Sequence, residues 1–578
     1  MKKALSLILV CLFLVSMIIP VSAAQFINAY ETIQAENYSE ASCASVLGLG
    51  STHYLENCLD AGGGKNVFDW QRNTYFKYAN VDFGSDAAYG FSARVADFSD
   101  HADLKIILDS INGPVIGTLH IVSTGKQQDW ETQSCPITPT SGVHDVFLKF
   151  ENNPAKASLN YFTFLHTVPE ETVRPTYSYE PLPANWQGRD TRPDTWVATD
   201  MLGEAVADNR MAGNPRSNKY VGIFYHLFLT RKQGEVYDNS RLLEENYFDP
   251  AYGPVNTDHF WGKPIFDYYR NIDTYVIRRH AQLLYNAGVD VIIFDTSNAG
   301  FPFAPYWMAI VDTLYQMREE GLNTPQFAFH TGDGTDGTNK LAAYLYKNLY
   351  STGKYRELWF MWDGKPLMLG NSTQLSAQYR NVFTFRRSWA WQSGENQFPW
   401  LDNTPQGYGW NESADKPEAT SVCLAQHATT NKGKCYSGGV EPANVSEETT
   451  LELINFREQW EHALSLDPEF IFVTAWNEWV ASNYYAAEGQ DFLGRKLSAN
   501  DYYFVDEYNP EFSRDIEPSD GFLGDEAYMK LAHYIRLFKG ARAVGAANGS
   551  HTISINESFA QWDTVEPAFY DSVGDVTH

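Results

Sequence analysis

Two patterns of apolar and polar residues divide the chain. From about residue 27 to 167, short segments such as 90–95 and 104–108 alternate apolar and polar residues, and turn residues such as Gly62-Gly63-Gly64 separate them. Alternation with a period of two is typical of strands that bury one face. Many short strands at this spacing predict an all-β sandwich.

From about residue 190 to 540 the pattern changes, because continuous apolar runs now alternate with amphipathic stretches. Strands are predicted at 220–225, 290–294, 326–329, 358–360, 366–369, 382–385, 421–425 and 470–473, and helices around 276–287, 307–317 and 453–464. Strands that are apolar on both faces indicate a parallel sheet covered by helices. About eight of them favour a (β/α)8 (TIM) barrel, so the predicted fold class is an all-β sandwich followed by an α/β barrel.

Three further segments complete the predicted organisation. Residues 1–23 combine two lysines, an apolar stretch and small residues before a cleavage point, as in a secretory signal peptide. Residues 168–189 hold four prolines and read as a linker. Residues 541–578 contain a strand-like segment at 553–555 without partners, which predicts a poorly ordered tail, the start of an incomplete β-domain, or a gene fragment.

Composition narrows the classes of partner. The formal net charge of −28, with no basic cluster to offset it, argues against nucleic acid and anionic membrane. After the signal no run of about 20 apolar residues follows, so we expect a secreted, extracellular protein. Aromatic residues make up 15% of the chain, which suits sugar binding but also large cores. Oligomeric state is left open.

The cysteines predict disulfides rather than a zinc site. Five remain after the signal, and an export compartment permits pairing. Cys43 with Cys58 and Cys423 with Cys435 are local candidates, which leaves Cys135 free. Their spacing matches no zinc pattern.

The first region resembles a family 6 carbohydrate-binding module. The resemblance is carried by IQAENYSEAS at 33–42, YANVDFGS at 78–85, FSARVA at 91–96, GVHDVFLKF at 142–150 and LNYFTF at 159–164. It implies a jelly-roll sandwich that binds glycan and a structural Ca²⁺ held by Gln34, Glu36 and Asn160. Trp70 and Trp130 are the candidate sugar-stacking residues, and for Trp130 a place in the core is the alternative.

Polar and aromatic residues follow the predicted strands of the second region. Active residues of barrel enzymes lie at the C-terminal ends of strands. The candidates for catalysis are Glu478 and Asp295, and those for substrate contact are Tyr225, His226, His330, Arg387, Trp389, His427, Trp476 and Asn477. The alternatives are a rim ion pair for Glu478, for example with Arg387, and a hydrogen-bonded structural role for His330 and His427.

Glycoside hydrolysis requires a proton donor and a second carboxylate, and the two catalytic candidates could supply both. We expect Trp476 and Trp479 to shield Glu478 from water and so help it act as an acid. The neighbouring amide of Asn477 could hold a sugar hydroxyl.

The second region also resembles the glycoside hydrolase family 71/99-like group. The matching segments include AGVDVIIFDTSNA at 287–299, SWAW at 388–391, TAWNEWVA at 474–481 and YFVDEYNPEFSRDIEP at 503–518. The resemblance implies a barrel that cleaves glycosidic bonds. Family 99 has a motif NEWHEG whose two glutamates do the chemistry. Asn477, Glu478 and Trp479 match it, but Ala481 replaces the second glutamate, so Asp295 supplies that role or the mechanism differs.

The sequence therefore predicts a secreted glycoside hydrolase that a carbohydrate-binding module targets to a polysaccharide or oligosaccharide, with no cofactor for catalysis. The loss of the second family glutamate keeps an alternative open, a non-catalytic glycan-binding protein on a degenerate barrel. Ester removal is a weaker alternative, because the chain has no convincing G-x-S-x-G elbow. The sugar, the linkage and the stereochemistry are left open.

Overall fold

The structure is a computed structural model of the 578-residue chain. It describes residues 26–42, 55–68, 74–97, 102–124, 128–151, 157–174, 177–229, 236–297, 303–545 and 549–565. The chain divides into two compact units between Pro175 and Thr176. The predicted signal peptide lies outside the described residues. Within them, no helix has the length and apolar character to cross a membrane.

The described strands of the first unit form two six-stranded sheets. They are β1 (Ile27–Asn28), β2 (Ile33–Gln34), β3 (Glu40–Ala41), β4 (Leu55–Asn57), β5 (Lys65–Phe68), β6 (Tyr75–Asp82), β7 (Ala88–Asp97), β8 (Asp103–Leu108), β9 (Val115–His120), β10 (Glu131–Thr140), β11 (Val143–Glu151) and β12 (Ala157–Leu165). One sheet has the order β1-β6-β11-β8-β9, with β3 on β6. The other has the order β10-β7-β12-β5-β4, with β2 on β12.

Alternating residues of these strands form one apolar core. Phe76 and Leu148 of the first sheet and Val95 and Phe162 of the second are fully buried in it. Because successive side chains of a strand point to opposite faces, the period of two in the sequence predicts which residues are buried. The prediction of a β-sandwich is confirmed for this unit.

The second unit alternates strands and helices. Its described strands are β13 (Tyr220–Tyr225), β14 (Tyr237–Asp238), β15 (Asp258–Phe260), β16 (Val291–Asp295), β17 (Gln326–His330), β18 (Met361–Trp362), β19 (Lys365–Leu369), β20 (Thr384–Arg386), β21 (Gly394–Glu395), β22 (Tyr408–Trp410), β23 (Ala419–Cys423), β24 (Phe470–Thr474), β25 (Val480–Tyr485), β26 (Asp491–Phe492), β27 (Arg495–Lys496) and β28 (Tyr502–Phe504). Its described helices are α1 (Asn209–Ala212), α2 (Asn239–Glu245), α3 (Thr274–Ala287), α4 (Ala304–Glu319), α5 (Thr335–Asn348), α6 (Ala377–Val382), α7 (Glu447–Leu451), α8 (Ile454–Leu466) and α9 (Glu526–Lys539).

Ten strands form the main sheet of this unit, in the order β18-β19-β17-β16-β13-β24-β23-β22-β21, with β20 on β19. The pairs from β20 through β19, β17, β16, β13 and β24 to β23 are parallel. The last long strand, β24, therefore pairs with the first, β13. Beyond β20, the Arg387 N–H donates to Asn396 O (2.9 Å) and the Phe398 N–H donates to Arg387 O (2.8 Å), which links β20 toward β21.

Local signals at both ends explain α3, one of the helices that the sequence predicts. The side chain of Asp273 accepts hydrogen bonds from the first turn of α3, and Gly288 ends that helix with a φ of 94°. The predicted strand at 358–360 is wrong, since Arg356–Leu358 forms a 3₁₀ turn. The apolar run there packs in the core and contacts β17 through a single parallel bridge between Trp359 and Phe327.

The two ends of the predicted linker are each attached to the unit in which they lie. The Arg174 guanidinium donates to Ala102 O (2.6 Å) in the sandwich. The indole of Trp186 donates to Arg318 O (2.9 Å) in the second unit. At the other end of that unit, Arg542 forms ion pairs with Asp190 and Asp194. Proline content therefore marks a boundary here, and side chains such as Arg174 and Trp186 attach the segment to the unit that each lies in.

The predictions for the cysteines and for the C-terminal segment differ from the structure. Cys423 and Cys435 are both buried and free, so the predicted disulfide between them is wrong. Cys58 and Cys135 are also buried and free, whereas Cys43 lies outside the described residues. Between 549 and 565 the strand-like residues 553–555 are irregular, and the regular element is a 3₁₀ helix at Phe559–Trp562.

Candidate functional site

Four parallel strands deliver polar side chains to one end of the main sheet. His226 follows β13, Asp295 ends β16, His330 ends β17, and Glu478 follows β24. His226 Nε2 lies 3.9 Å from Asp295 Oδ2 and 3.5 Å from Glu478 Oε2, so these two carboxylate oxygens are at most 7.4 Å apart. The structure thus brings both predicted catalytic carboxylates to one imidazole.

Asp295 is held as an anion by its surroundings. It is 5% exposed, accepts a hydrogen bond from the Ser297 N–H (2.9 Å), and lies 3.8 Å from His330 Nδ1. Burial acts to raise the pKa of Asp295, but the nearby imidazoles of His330 and His226 outweigh it and lower that pKa. The carboxylate form is therefore favoured.

Glu478 is paired with a buried arginine. Arg514, which is 1% exposed, contacts Glu478 Oε2 with both Nη2 and Nε, the latter at 3.2 Å. The same guanidinium lies 3.0 Å from Asp506 and 3.2 Å from Glu507. Burial acts to lower the pKa of Arg514, but the charges of Glu478, Asp506 and Glu507 raise it well above its ordinary value. Arg514 is thus the central cation of the site.

A second pair lies on the other side of Arg514. His427 follows β23, and its Nδ1 is 2.5 Å from Asp506 Oδ1. Burial acts to raise the pKa of Asp506, but Arg514 and His427 lower it far below its ordinary value. The site therefore contains three carboxylates, Asp295, Glu478 and Asp506, and each of them lies beside an imidazole or a guanidinium.

Two predicted substrate contacts face away from this cleft. Tyr225 is 2% exposed, and its hydroxyl bonds to His280 Nδ1 (2.8 Å) on α3. Trp476 is fully buried and packs on His280 with ring centroids 5.4 Å apart. Adjacent residues point to opposite sides of a strand, so the residue beside a cleft-facing side chain faces the helix layer. The structure thus places Tyr225 and Trp476 in the helix layer, away from the cleft.

Trp479, which the sequence predicts to shield Glu478, has other partners in the structure. Trp479 stacks on Trp261 (4.6 Å between ring centroids) and donates from Nε1 to Glu517 (2.6 Å). Asn477 is fully buried, and its side chain bonds to the backbone N–H (2.9 Å) and O (3.2 Å) of His226. Asn477 thus positions His226 and does not face the cleft.

The rim carries the remaining predicted contacts. Arg387 forms a two-pronged ion pair with Asp333 (2.5 and 2.7 Å), so it is not the partner of Glu478. Trp389 is 38% exposed and lies parallel to the His330 ring at 6.3 Å. An exposed indole beside buried polar groups offers a stacking face for a sugar ring.

Sequence reasoning missed Arg514, Asp506 and Asp515. Asp515 accepts a hydrogen bond from the backbone N–H of Glu478, and Trp261 Nε1 donates to it (2.5 Å). All three lie between β28 and α9, outside the parallel strands. The available signal was their density of charge, since residues 506–517 contain five acidic residues and one arginine.

The first unit contains a separate polar cluster, which we call the Glu56 cluster. Glu56 Oε1 accepts hydrogen bonds from Asn66 Nδ2 (2.8 Å), Gln128 Nε2 (2.7 Å) and Ser158 Oγ (3.0 Å). Trp130 Nε1 donates to Gln128 Oε1 (3.1 Å), so this half-buried indole lies beside the cluster. Trp70 lies outside the described residues.

Two of the predicted Ca²⁺ ligands, Gln34 and Asn160, lie on the paired strands β2 and β12, and Glu36 lies in the 3₁₀ turn that follows β2. Gln34 of β2 pairs with Tyr161, the neighbour of Asn160, on β12. Glu36 Oε2 is buried without a hydrogen-bond donor. A buried anionic oxygen without a partner and two amide side chains fit the oxygen preference of Ca²⁺. Among the residues that the structure describes, no group of three or more His, Cys, Asp or Glu side chains could hold a metal ion.

Comparison with known proteins identifies the first unit. Residues 34–166 match the family described as Carbohydrate binding module (family 6). An endo-1,4-beta-xylanase A of Thermoclostridium stercorarium is 30% identical over 153 residues, which cover 26% of this chain and 28% of the relative. An arabinoxylan arabinofuranohydrolase of Bacillus subtilis is 31% identical over 127 residues, covering 22% of this chain and 23% of the relative.

Solved structures agree in extent. A family 6 module from Clostridium cellulolyticum in complex with xylose is 35% identical, covers 24% of this chain and 98% of its own, and has a TM-score of 0.21. A beta-1,3-glucan-binding family 6 module from Bacillus halodurans is 29% identical, covers 24% of this chain and 99% of its own, and has a TM-score of 0.22.

The fold and the family match together define a carbohydrate-binding β-sandwich. The particular assignment supported for residues 34–166 is a family 6 module, and carbohydrate binding is supported with it. The chain spans less than a third of the length of the curated relatives it matches, and the similarity lies in the binding module. The activity of the second unit therefore has to be argued from its own residues.

Proposed function

We propose that this protein is a secreted glycoside hydrolase. The second unit would cleave glycosidic bonds and the first would bind the polysaccharide. The observation that carries the proposal is the pair Asp295 and Glu478, whose carboxylate oxygens lie at most 7.4 Å apart across His226. Two carboxylates flanking one sugar are the usual requirement for this reaction.

The second unit is proposed to be a (β/α)8-type barrel. The pairing of β24 with β13 brings the last long strand beside the first, which an open sheet with sequential strands does not do. The hydrogen bonds of Arg387 with residues 396–398 support closure on the other side. In such a barrel His226, Asp295, His330 and Glu478 occupy the end where active sites are found.

The spacing permits two stereochemical outcomes. Carboxyl groups about 5–5.5 Å apart are typical of retaining enzymes, and about 6.5–9.5 Å of inverting ones. The upper limit of 7.4 Å is compatible with both ranges. In either case Asp295 or Glu478 attacks the sugar or activates water, and Trp389 supplies a stacking face.

The binding module serves to concentrate the enzyme on its substrate. A tethered module raises the local concentration of polysaccharide without changing the chemistry. Ca²⁺ bound by Gln34, Glu36 and Asn160 would neutralise the buried Glu36 oxygen and stabilise the sandwich. Export would follow from the signal-like residues 1–23.

A panel digestion tests the proposal. Purified protein is incubated with xylan, arabinoxylan, cellulose and β-1,3-glucan, and reducing ends are measured for wild type, Glu478→Gln and the control Glu488→Gln. Glu488 is an exposed glutamate of the same unit. We expect wild type and Glu488→Gln to release sugar from at least one polymer, and Glu478→Gln to be slower by about 10²–10⁴-fold.

Two outcomes would contradict it. Full activity of a folded Glu478→Gln variant would remove Glu478 from the reaction. Binding in pull-down without release from any polymer would favour the non-catalytic alternative, which Ala481 motivates.

A further inference from the structure

The candidate site supplies anions readily but lacks an obvious acid. Asp295 is stabilised as a carboxylate by His330, His226 and a backbone N–H, and Glu478 is ion-paired with Arg514. At the position of the second family glutamate, Ala481 lies in β25 opposite His259. Cleavage of a glycosidic bond with an ordinary sugar leaving group still requires a proton donor.

We propose that His427 is the proton donor of the cleavage reaction, a role that rests on the proposed function. His427 lies in the loop after β23, next to the strand whose loop carries Glu478. Its side chain is 10% exposed, compared with 12% for Glu478 and 7% for Asp295. It is therefore as accessible to a sugar as the two carboxylates.

The two ring nitrogens of His427 have different surroundings. Nδ1 lies 2.5 Å from Asp506 Oδ1, a carboxylate oxygen that can accept its proton and orient the ring. No described residue forms a hydrogen bond with Nε2. A histidine oriented by a carboxylate at one nitrogen, with the other nitrogen open, is the arrangement that general acid–base catalysis uses.

Arg514 fixes His427 and Glu478 relative to each other. Its Nη1 lies 3.0 Å from Asp506 Oδ1 and 3.3 Å from His427 Nδ1, while Nη2 and Nε contact Glu478 Oε2. The acid and the carboxylate thus flank one rigid guanidinium plane. The indole of Trp391, which is 44% exposed, lies 5.6 Å from the His427 ring and offers a surface for the leaving sugar.

His226 is the competing donor, and its surroundings favour a different role. Its side chain is 4% exposed, its Nε2 lies between Asp295 and Glu478, and its Nδ1 is buried without a hydrogen-bond partner. A proton on Nε2 would be directed at the two carboxylates and not at a glycosidic oxygen. His226 therefore positions and separates the carboxylates.

The proposed step balances as follows. The glycosidic oxygen takes the Nε2 proton and the electron pair of the breaking C1–O bond, and leaves as a hydroxyl. The anomeric carbon is attacked by water, or by Asp295 or Glu478 and then water. Water contributes OH to C1, and its remaining proton returns to the site and restores the His427 imidazolium. No oxidant, reductant or metal is required.

The dependence on the leaving group tests this assignment. The probes are the oligosaccharide and the 2,4-dinitrophenyl glycoside of the sugar that wild type releases from the panel. Dinitrophenolate leaves without a proton, so loss of the acid harms only the oligosaccharide reaction. We expect His427→Gln to lose about 10²–10⁴-fold in kcat/KM on the oligosaccharide and at most about 10-fold on the aryl glycoside.

Three comparisons make the result decisive. Glu478→Gln should slow both probes, Asp506→Asn should follow His427→Gln with a smaller loss, and His533→Gln on α9 should match wild type. If the melting temperature of His427→Gln is well below that of wild type, the comparison of the two probes is made with Asp506→Asn instead. Equal losses on both probes, or no loss, would overturn the role of His427. Failure of wild type to cleave any substrate would instead overturn the proposed function.

Discussion

The two units each place a glutamate at the centre of a polar cluster, but they partner it differently. In the sandwich, Glu56 accepts from the neutral groups of Asn66, Gln128 and Ser158. In the second unit, Glu478 is bound by the guanidinium of Arg514. Neutral donors orient a carboxylate toward sugar hydroxyls, whereas a buried cation fixes its charge. The first arrangement suits recognition and the second suits chemistry.

The charged arrangement in the second unit has a structural cost. Burial raises the pKa values of Glu507 and Asp515 well above their ordinary values, although Arg514 lies beside Glu507. Burial therefore works against the charged form of both side chains. The single positive charge of Arg514 offsets only part of the negative charge of the cluster.

Removal of the shared cation should have the largest effect. Arg514→Met would leave Glu478 and Asp506 without their guanidinium, so we expect loss of most activity and of about 3–5 kcal/mol in the free energy of unfolding. Arg278→Met, which breaks the more exposed pair with Glu320, is the control and should cost at most about 1 kcal/mol. Urea unfolding and reducing-sugar release measure both. Equal losses of unfolding free energy and activity in the two variants would show that the ion pairs of Arg514 contribute no more than the exposed pair of Arg278.

A change in the Glu56 cluster should affect binding and spare catalysis. Glu56→Gln gives three donors a weaker acceptor, so retention on insoluble polysaccharide should fall about 10-fold, in line with the loss of a charge-assisted hydrogen bond. Cleavage of short soluble oligosaccharides should be unchanged. Glu31→Gln, an exposed glutamate near Asn28, is the control. If hydrolysis of soluble substrate falls as far as retention, the separation of recognition from chemistry is wrong.

The smallest effect concerns pH. The pKa of Asp295 is lowered in the folded state, so its ionised form stabilises the fold. This contribution is present above the ordinary value of 3.8 and is lost as pH falls through the folded-state pKa. The melting temperature of wild type should therefore approach that of Asp295→Asn as the pH is lowered below the ordinary value of 3.8. A constant difference between the two proteins over that range would contradict the assignment.

The sequence predicts the parts of the molecule that repeat. Period-two alternation gives the sandwich, and apolar runs give β13, β16, β17 and β24 within a residue or two. Because parallel strands end at one edge, it also predicts that His226, Asp295, His330 and Glu478 meet. It cannot tell which of two adjacent residues faces the cleft, and so Tyr225 and Trp476 are misplaced.

The rest of the site comes from a segment without periodicity. Asp506, Arg514 and Asp515 belong to the irregular chain between β28 and α9. Their positions depend on long-range ion pairs, such as Arg514 with Glu478, which no local pattern records. The 358–360 segment shows the same limit, since tertiary packing there overrides strand propensity.

Arg542 closes the second unit on itself by binding Asp190 and Asp194. The beginning and the end of this unit are thus neighbours in space, a condition under which proteins tolerate circular permutation. A gene that joins the two ends with a short peptide and opens the polypeptide at a surface loop should still encode the same tertiary structure. New termini could then be set beside the cleft or away from it, as an engineer requires.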